Sequence, residues 1–412
     1  MMADMQYQKL ENRIKRSGAL TNPVKTVEII ATNLINDGGK VVTAKSIEAL
    51  NNALGAARAN LNRDYLVRVV MGNEASDLDS MGSSIAYGYL LSQDSLPGGE
   101  IVLPVMNIPR DDFKLRTEAV YLFKEVGIDI SRLVFLDEIN LGALRDRQLI
   151  KLVLIDHNKL AKSQEALADA VDEIIDHHED ENLYPYVTKR AIEPGLGSTA
   201  TLIAERIIKR KRELLDEGLA TLLIGTILLD TANLSPNRTK SKDEAMVKDL
   251  SDFVVVPRDA LFKKVKSEKF NASGLSTYDL LRKDYKEEEA GRVKYGISSV
   301  PISVRDWFGK DPNLGEGFLK YADVKKVDLL LTMHFYEDPE FRRELGIFSK
   351  NQALREKTTS ALTSTDLQLE PMAPSAQPRA KDTQVFFFKQ LNTKIARRDL
   401  QPILNDIFIN LS

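Results

Sequence analysis

Acidic residues, histidines and asparagines follow four apolar runs in this chain of 412 residues. GNEASDLDS follows YLVRVVM, DHN follows KLVLI, DHH follows VDEII, and a single aspartate follows TLLIGTILL. Three of the four histidines of the chain fall at these ends. The residues that could do chemistry there are Asn73, Asp77, Asp79, Asp156, His157, Asn158, Asp176, His177, His178 and Asp230.

This combination of carboxylates and imidazoles is typical of a site for divalent metal ions. Hard cations such as Mg²⁺ or Mn²⁺ take carboxylate oxygens together with some imidazole, and one carboxylate can bridge two ions. Two ions held in this way activate a water molecule between them. The pattern therefore predicts a pair of divalent ions. The predicted ligands are Asp77, Asp79, Asp156, Asp230 and one histidine, His177 or His178.

Each of these residues alone also has a purely structural explanation. Asp77 and Ser80 could cap the helix that follows them, and Asp156 could begin an Asx turn. Asp230 could simply end a buried helix. We expect Asp176 to orient a neighbouring histidine as a hydrogen-bond acceptor. The residues after all four apolar runs would need separate structural explanations at the same time. A shared metal site explains all of them together and is therefore the favoured interpretation.

Short β-branched runs alternate with helical periodicity from about residue 46 onward. This alternation predicts βαβ units and a mostly parallel sheet, in which ligands bind at the carboxyl ends of the strands. The predicted elements, in order, are SIEALNNALGAARANL (helix), YLVRVVM (strand), SIAYGYLLSQ (helix), EIVLPVM (strand), TEAVYLFKEVG (helix), RLVFL (strand), KLVLID (strand) and SQEALADAV (helix).

Two segments fall outside this alternation. Residues 1–45 are polar and weakly patterned, except for TVEIIATNLIND, which predicts one helix in an N-terminal extension. Residues 358–383 contain three prolines and many small polar side chains, which predicts a loop inside the second domain.

Composition and charge exclude several classes of protein. The chain has no cysteine, which excludes disulfides and thiolate metal sites and fits a reducing, cytoplasmic location. The sequence shows no export signal or membrane-spanning segment. The net charge is −3, so a polyanionic ligand would need local cations or bound metal. No strongly basic domain is present, and no nucleic-acid partner is expected.

The order of the four motifs resembles that of the DHH phosphoesterase superfamily. DHH after an apolar strand is preceded by NEASDLDS and LIDHN and followed by LLDTANL. The chain looks most similar to the eukaryotic exopolyphosphatase and prune branch, whose relatives include the manganese-dependent inorganic pyrophosphatases. The resemblance implies an α/β fold with an N-terminal, mostly parallel DHH domain over residues 46–240. A smaller α/β, DHHA2-like phosphate-binding domain would follow over residues 255–412.

The resemblance also implies which cations bind the substrate. NASGLSTYDLLRKDYKEEEAGRVKYGISSV and FFFKQLNTKIARRDLQPIL are similar to phosphate-binding segments of the family. Lys286 of the first segment, with Arg397 and Arg398 of the second, would close over the phosphates of inorganic polyphosphate or another short phosphoanhydride. Guanidinium groups grip phosphate oxygens in bidentate fashion. Without the motifs upstream, both segments would be interpreted as solvated charged faces.

The same resemblance assigns catalytic roles. Asp156 would bridge the two ions, with Asp77 on one side and Asp79, His177 and Asp230 mainly on the other. A water activated by the ions would attack the terminal phosphorus. His178 would contact the phosphate and assist the leaving oxygen, by hydrogen bond or as an acid.

Asn73 marks a departure from the pyrophosphatase relatives, which have a histidine there. Asparagine matches the exopolyphosphatase and prune pattern, where the position contacts the substrate side of the site. Losing an imidazole should favour Mg²⁺, with Mn²⁺ or Co²⁺ as other candidates. Alternatively, Asn73 only holds the turn before Asp77 through a side-chain to backbone hydrogen bond. A second departure is Ala396, which precedes the two arginines where the family commonly has a hydroxyl residue.

Three other functions compete with exopolyphosphatase activity. An inorganic pyrophosphatase would share both domains. A nucleotide phosphodiesterase of the superfamily would share the metal half, but its glycine-rich GGGH motif is missing around His334. A prune-like interaction protein with weak short-chain polyphosphatase activity is the third candidate. Animal prune proteins replace the second histidine of DHH with arginine, whereas this chain retains His178.

Overall fold

The computed structural model describes residues 45–61, 64–94, 99–372 and 385–410. The helix predicted within the N-terminal extension lies outside these residues. The chain divides into two compact units, residues 1–269 and 270–412. Among the described residues, no helix is long and apolar enough to cross a membrane.

The first unit is built on a parallel sheet of six strands, which confirms the predicted fold class. The strand order is β3-β2-β1-β4-β5-β6, and each neighbouring pair runs parallel. Residues of the central strands are buried on both faces, as expected for a parallel sheet covered by helices. The strands are β1 (Val67–Met71), β2 (Ile101–Met106), β3 (Val134–Phe135), β4 (Ile150–Ile155), β5 (Val171–Asp176) and β6 (Lys189–Ile192).

Helices cover the two faces of this sheet with separate apolar cores. One core gathers Ile85, Leu122, Leu222 and many other apolar side chains between the sheet and most of the helices, and the other lies under Leu144 and Leu167. The helices of the first unit are α1 (Lys45–Ala59), α2 (Leu78–Ser92), α3 (Thr117–Val126), α4 (Leu141–Asp146), α5 (Thr199–Lys211), α6 (Glu217–Asp230), α7 (Ser241–Ser251) and α8 (Arg258–Lys269).

Two predicted elements of this unit differ from the structure. The strand predicted from RLVFL is reduced to the two residues of β3, because the chain turns at once and Glu138 accepts a hydrogen bond from the Phe135 N–H at 3.0 Å. The helix predicted from SQEALADAV forms 3₁₀ turns over Lys162–Ala170. β3 is an edge strand that pairs with one neighbour, and the segment Lys162–Ala170 buries residues on one side only. Sequence periodicity alone does not determine the geometry of such segments.

The ends of the strands explain why the candidate ligands meet. β1, β4 and β5 are neighbours in the sheet, so their carboxyl ends present the DLD, DHN and DHH segments side by side. Gly72 allows the end of β1 to approach α2 closely, since a Cβ atom there would lie 2.5 Å from the Cβ of Ser80. A larger residue at position 72 would push the first segment away from the other two.

Charged side chains join five strands at the opposite, amino-terminal end of the sheet. Arg68 of β1 donates to Glu100, which precedes β2, at 2.5 Å and to Asp172 of β5 at 2.6 Å. Lys151 of β4 pairs with Glu100 at 3.1 Å, and Lys189 of β6 pairs with Asp172 at 3.0 Å. Arg68 and Glu100 are buried, so these contacts pair charges that would be costly to leave alone.

The second unit holds a mixed six-stranded sheet in the order β11-β12-β10-β9-β8-β7. β8 and β9 run parallel, and the remaining neighbours are antiparallel. The strands are β7 (Tyr285–Ala290), β8 (Val293–Val300), β9 (Leu329–Glu337), β10 (Phe341–Phe348), β11 (Leu369–Pro371) and β12 (Val385–Gln390). The helices are α9 (Thr277–Lys283), α10 (Val304–Lys310), α11 (Leu314–Lys325), α12 (Gln352–Thr363) and α13 (Arg397–Asn410).

The loop predicted over residues 358–383 is wrong in its first part. Residues 358–363 complete α12, and residues 369–371 form β11 on the edge of the sheet. Leu362 and Leu367 are buried in the core of the second unit, and their packing outweighs the small polar residues around them. Residues 373–383 lie outside the described part of the chain.

Candidate metal centre

Asp156 lies at the centre of the candidate site, immediately after β4. Its φ angle is +64°, in the left-handed region, and its N–H donates to Ile175 O at 2.9 Å. The residue is 2% exposed. Its carboxylate accepts hydrogen bonds from Asn73 Nδ2 at 2.8 Å, Ser80 Oγ at 2.7 Å and Thr199 Oγ1 at 3.1 Å. These donors fix the carboxylate in one orientation.

Asp79 lies in the first turn of α2 and points at the N-terminus of α5. Its carboxylate accepts hydrogen bonds from Ser198 Oγ at 2.8 Å, Thr199 N at 2.7 Å and Ala200 N at 2.9 Å. Backbone N–H groups at a helix N-terminus favour an anionic partner. The start of α5 therefore fixes the orientation of the Asp79 carboxylate through three donors.

Asp77 is the N-cap of α2, which is the structural explanation that the sequence offered beside a role as metal ligand. Its Oδ1 accepts a hydrogen bond from Ser80 N at 3.1 Å, and the helix begins at Leu78. Capping engages Oδ1 and is compatible with a metal ion at the same carboxylate. The capping observed here therefore leaves the predicted ligand role open.

His177 faces the carboxylates with one ring nitrogen. Its Nδ1 lies 2.7 Å from Leu196 O, so this nitrogen carries the proton, and Nε2 lies 3.3 Å from Asp156 Oδ1 and 3.9 Å from Asp79 Oδ2. Asp79, His177 and Asp230 present ligand atoms within 4.8 Å of one another. Asp230 is the last residue of α6. It therefore ends a buried helix, as its structural explanation predicted, and it also belongs to this cluster.

His178 is the more exposed of the two histidines, and its ring is held by Asp176. Nδ1 of His178 donates to Asp176 Oδ1 at 2.8 Å, which is the orienting contact expected from the sequence. The backbone N–H groups of His177 and His178 donate to the same oxygen, at 2.8 and 3.2 Å. Asp156, His177 and His178 form a second group whose ligand atoms lie within 4.8 Å of one another.

The clustered charges shift the pKa values of the site strongly. Burial and the charge of Asp79 raise the pKa of Asp156 to about 7. Burial and neighbouring carboxylates also raise the pKa values of Asp77 and Asp230. Burial alone would lower the pKa of His177, but its hydrogen bond to Asp156 and the charge of Asp79 raise that pKa to about 10.

Without a cation, this arrangement is electrostatically unfavourable, because several carboxylates repel one another in a buried place. The donors are carboxylate oxygens and imidazole nitrogens, which is the set that divalent cations take. The residues present therefore fit a divalent metal centre.

Asn73 makes two kinds of contact. Its Oδ1 accepts hydrogen bonds from Ala75 N at 2.9 Å and Ser76 N at 3.1 Å, which is the turn-holding role described as the alternative. Its Nδ2 donates to Asp156 Oδ2, so the side chain also supports the central carboxylate. Its role toward substrate stays a prediction.

Sequence reasoning missed the hydroxyl groups that support the carboxylates. Ser80 and Thr199 each donate to Asp156, and Asp243 holds the glycine turn before α5 by accepting from Gly197 N at 2.9 Å and Thr201 Oγ1 at 2.6 Å. The stretch GLGSTA was a weak signal, because serine or threonine after glycine is ordinary at any helix start.

The second unit carries the three predicted phosphate-binding cations. Lys286 is exposed on β7, opposite Ile297 of β8. Arg397 begins α13 and donates to the carboxylate of Asp284 at 2.7 Å, next to the start of β7. Arg398 projects into solvent, with a side chain 91% exposed. The structure thus brings Arg397 to the strand that bears Lys286, and the phosphate contacts of all three stay predictions.

Comparisons with known proteins agree with this architecture. The chain matches the model of the DHH family, N-terminal domain, over residues 68–227 and that of the DHHA2 domain over residues 263–407. A Mus musculus protein named exopolyphosphatase PRUNE1 is 35% identical over 366 residues, which cover 87% of this chain and 79% of the mouse protein. The Homo sapiens protein of that name is 34% identical, with the same coverage of both chains.

A more distant relative is a manganese-dependent inorganic pyrophosphatase from Methanothrix thermoacetophila (strain DSM 6194 / JCM 14653 / NBRC 101360 / PT). It is 23% identical over 266 residues, which cover 64% of this chain and 79% of the archaeal protein. The relatives named exopolyphosphatase are clearly more similar than this pyrophosphatase. With its DHH and DHHA2 domains and its carboxylate and histidine cluster, the chain belongs to the prune branch of the DHH family.

Proposed function

We propose that this protein is a metal-dependent exopolyphosphatase that hydrolyses terminal phosphoanhydride bonds of inorganic polyphosphate and releases orthophosphate. The observation that carries the proposal is the cluster at the carboxyl ends of β1, β4 and β5, where two overlapping sets of ligand atoms share His177. Relatives at about one-third identity bear the name exopolyphosphatase. In this proposal, residues 46–240 carry the metal centre and residues 255–412 bind phosphate.

The distances within the cluster support the ligand roles that we propose. Asp156 Oδ1 lies 3.3 Å from His177 Nε2, and the buried carboxylate of Asp156 would be shared by the two ions. Asp79, His177 and Asp230 would hold one ion, and Asp77 would complete the other. When bound, the pair of divalent ions supplies a nucleophilic water and neutralises phosphate charge.

His178 is suited to assist the leaving oxygen. Its hydrogen bond to Asp176 fixes the ring through Nδ1 and raises the pKa of the imidazole, so that Nε2 stays protonated to higher pH. A protonated Nε2 can donate a hydrogen bond or a proton to the oxygen on which negative charge develops. Lys286, Arg397 and Arg398 would neutralise the non-bridging oxygens, as cations do in phosphoryl transfer.

Mg²⁺ is the metal we propose, with Mn²⁺ and Co²⁺ as alternatives. The cluster is dominated by carboxylate oxygens, which suit Mg²⁺, and position 73 contributes an amide where an imidazole would favour softer ions. The amide oxygen of Asn73 is already engaged by two backbone N–H groups.

The test is hydrolysis by the purified full-length chain with Mg²⁺, and in parallel with Mn²⁺ and Co²⁺. Tripolyphosphate, long polyphosphate, pyrophosphate and a short oligonucleotide are supplied separately, and released phosphate and nucleotide are measured. We expect orthophosphate from both polyphosphates. Release from pyrophosphate alone would assign a pyrophosphatase, nucleotide release would assign a phosphodiesterase, and no release with any ion would leave an interaction protein.

A further inference from the structure

A row of exposed lysines runs along one face of α8. Lys263, Lys266 and Lys269 follow one another at three-residue spacing, and all three are exposed. Leu261 and Val265 on the opposite face are buried in the core of the first unit. Side chains three apart on a helix lie on neighbouring turns, so the three ammonium groups belong to one solvent-facing row.

The C-terminal end of this row lies beside the candidate metal centre. α8 packs on α3, and Thr117 Oγ1 donates to Lys269 O at 3.4 Å. Arg116, next to Thr117, donates to Ala75 O at 2.6 Å, within the segment that leads to Asp77.

The adjacent Lys264 differs from the three lysines of the row because its ammonium group is paired with a carboxylate. Nζ of Lys264 lies 2.8 Å from Glu268 Oε1 and 5.2 Å from the centre of the Tyr121 ring. Nζ of Lys266 lies 5.6 Å from the centre of the Phe262 ring, a contact that leaves its hydrogen-bond donors available. Among the residues that the structure describes, no ion pair with a carboxylate is seen for the three lysines of the row.

The second basic cluster of the first unit serves as a contrast. Lys209 pairs with Glu205 at 2.6 Å, and Arg210 pairs with Asp94 at 2.5 Å. Because these cations form ion pairs within the protein, the cluster at the end of α5 has little positive charge available to bind a ligand. The row on α8 combines available charge with a position beside the metal centre.

We propose that Lys269, Lys266 and Lys263 form a phosphate track that binds the part of a long polyphosphate chain that extends beyond the metal centre. This inference rests on the proposed exopolyphosphatase function and adds to it a preference for substrate length. The rise of 1.5 Å per residue places the ends of the track about 9 Å apart along the helix. A short substrate held at the metal centre would not reach the far end of the track, whereas a long chain would contact every lysine.

The chemistry of the track favours polyphosphate over nucleic acid. Polyphosphate carries charge on every unit and offers no base to stack, so a row of flexible ammonium groups is sufficient to bind it. A surface for single-stranded nucleic acid combines such charges with aromatic stacking platforms. The one aromatic side chain on α8, Phe262, is half-buried and packs against the core of the first unit.

The experiment compares two double variants of the full-length protein that each remove two charges. Lys263→Gln with Lys266→Gln neutralises the track. Lys209→Gln with Lys264→Gln is the matched control, because both lysines are in i,i+4 ion pairs. Glutamine keeps a helix propensity close to that of lysine, and thermal melts verify that both proteins fold.

The readout is the ratio of kcat/KM on long polyphosphate to kcat/KM on tripolyphosphate, at low salt. Exposed charges contribute little individually, so we expect the loss of two of them to lower the ratio about fivefold in the track variant. The control should keep the wild-type ratio. The difference should shrink at high salt, where exposed charges are screened.

Two results would overturn the track. One is an unchanged ratio in the track variant, including an equal loss on both substrates. The other is competition of tripolyphosphate hydrolysis by an oligonucleotide but not by long polyphosphate, which would assign the row to nucleic acid. A wild-type protein that releases no phosphate from either substrate would instead defeat the proposed function, so the two failures are distinguishable.

Discussion

Nε2 of His177 lies 3.3 Å from Oδ1 of Asp156, and the other ring nitrogen of the histidine is bonded to Leu196 O. The contact joins the ends of two neighbouring strands through an ion pair between a protonated imidazole and a carboxylate. A divalent cation needs the lone pair on Nε2, so the imidazole must lose that proton when metal binds. Protons are therefore part of the binding equilibrium.

Metal binding near neutral pH should release protons to the solution. The pKa of His177 is raised to about 10, so its imidazole holds the extra proton in the metal-free protein at pH 7. We expect at least about one proton released for the ion bound by His177. Calorimetric titration with Mg²⁺ in two buffers of different ionisation enthalpy measures this number. His177→Ala should release fewer protons, and equal heats in both buffers would contradict the expectation.

Replacing Asp156 by alanine should abolish most activity while preserving the fold. The change removes the carboxylate proposed to be shared by two ions, and loss of one preorganised electrostatic group costs about a hundredfold to a thousandfold in rate. Asp146→Asn, at an exposed carboxylate, is the control. Steady-state phosphate release measures the activity, and thermal melts measure the stability of the fold. Turnover near that of the wild type would remove Asp156 from the metal centre.

The metal-free protein should lose stability as the pH rises from about 4 to about 7. Burial raises the pKa of Asp156 to about 7, so the carboxyl group binds its proton more tightly in the folded protein than in the unfolded chain. Its contribution is fully present below the unfolded pKa, near 4, and is lost as the pH rises through about 7. Thermal melts in EDTA across this range measure the effect.

Asp156→Asn is the comparison for that series, because the amide does not titrate. Its melting temperature should fall less steeply over the same pH range, and added Mg²⁺ should stabilise the wild type more than the variant. A variant with the same slope as the wild type would show that other groups set the pH dependence.

Replacing Asn73 by histidine should shift metal preference towards Mn²⁺. An added imidazole favours Mn²⁺ and Co²⁺ over Mg²⁺, and a change of roughly tenfold in relative affinity is expected. The turn contacts to Ala75 and Ser76 are lost as well, so Asn73→Ala serves as the control for that loss. Rates on polyphosphate and pyrophosphate, each titrated with both ions, give the ratios. Equal ratios in the histidine and alanine variants would leave position 73 with a turn-holding role only.

Arg68→Met should destabilise the first unit without altering turnover per folded molecule. The change leaves Asp172 and the buried Glu100 without their shared partner at the amino-terminal end of the sheet. We expect about 2 to 3 kcal/mol, below the range for a fully orphaned buried charge, because Lys151 and Lys189 still pair with these acids. Urea unfolding measures the change. Arg145→Met, at an exposed pair, should cost little, and a similar cost in both variants would contradict the role of burial.

The sequence was most informative where a local pattern coincides with a strand end. Asp156, His177 and His178 each follow an apolar run, and parallel strands bring such ends together, so their proximity was predictable. The support given to Asp79 was not, because Ser198 is 119 residues away and the contact depends on how α5 is placed against α2. The 3₁₀ turns at 162–170 were missed for a related reason, since an amphipathic pattern also suits them.

The left-handed backbone at Asp156 limits which residues that position can accept. Aspartate and asparagine tolerate a positive φ better than most side chains with a Cβ, and glycine tolerates it freely. Glutamate would also supply a carboxylate, but it is less suited to this backbone conformation. Both the backbone conformation and the proposed ligand role therefore favour aspartate at position 156. Asparagine is the single substitution that can neutralise its charge while leaving the geometry of the turn and the reach of the side chain unchanged.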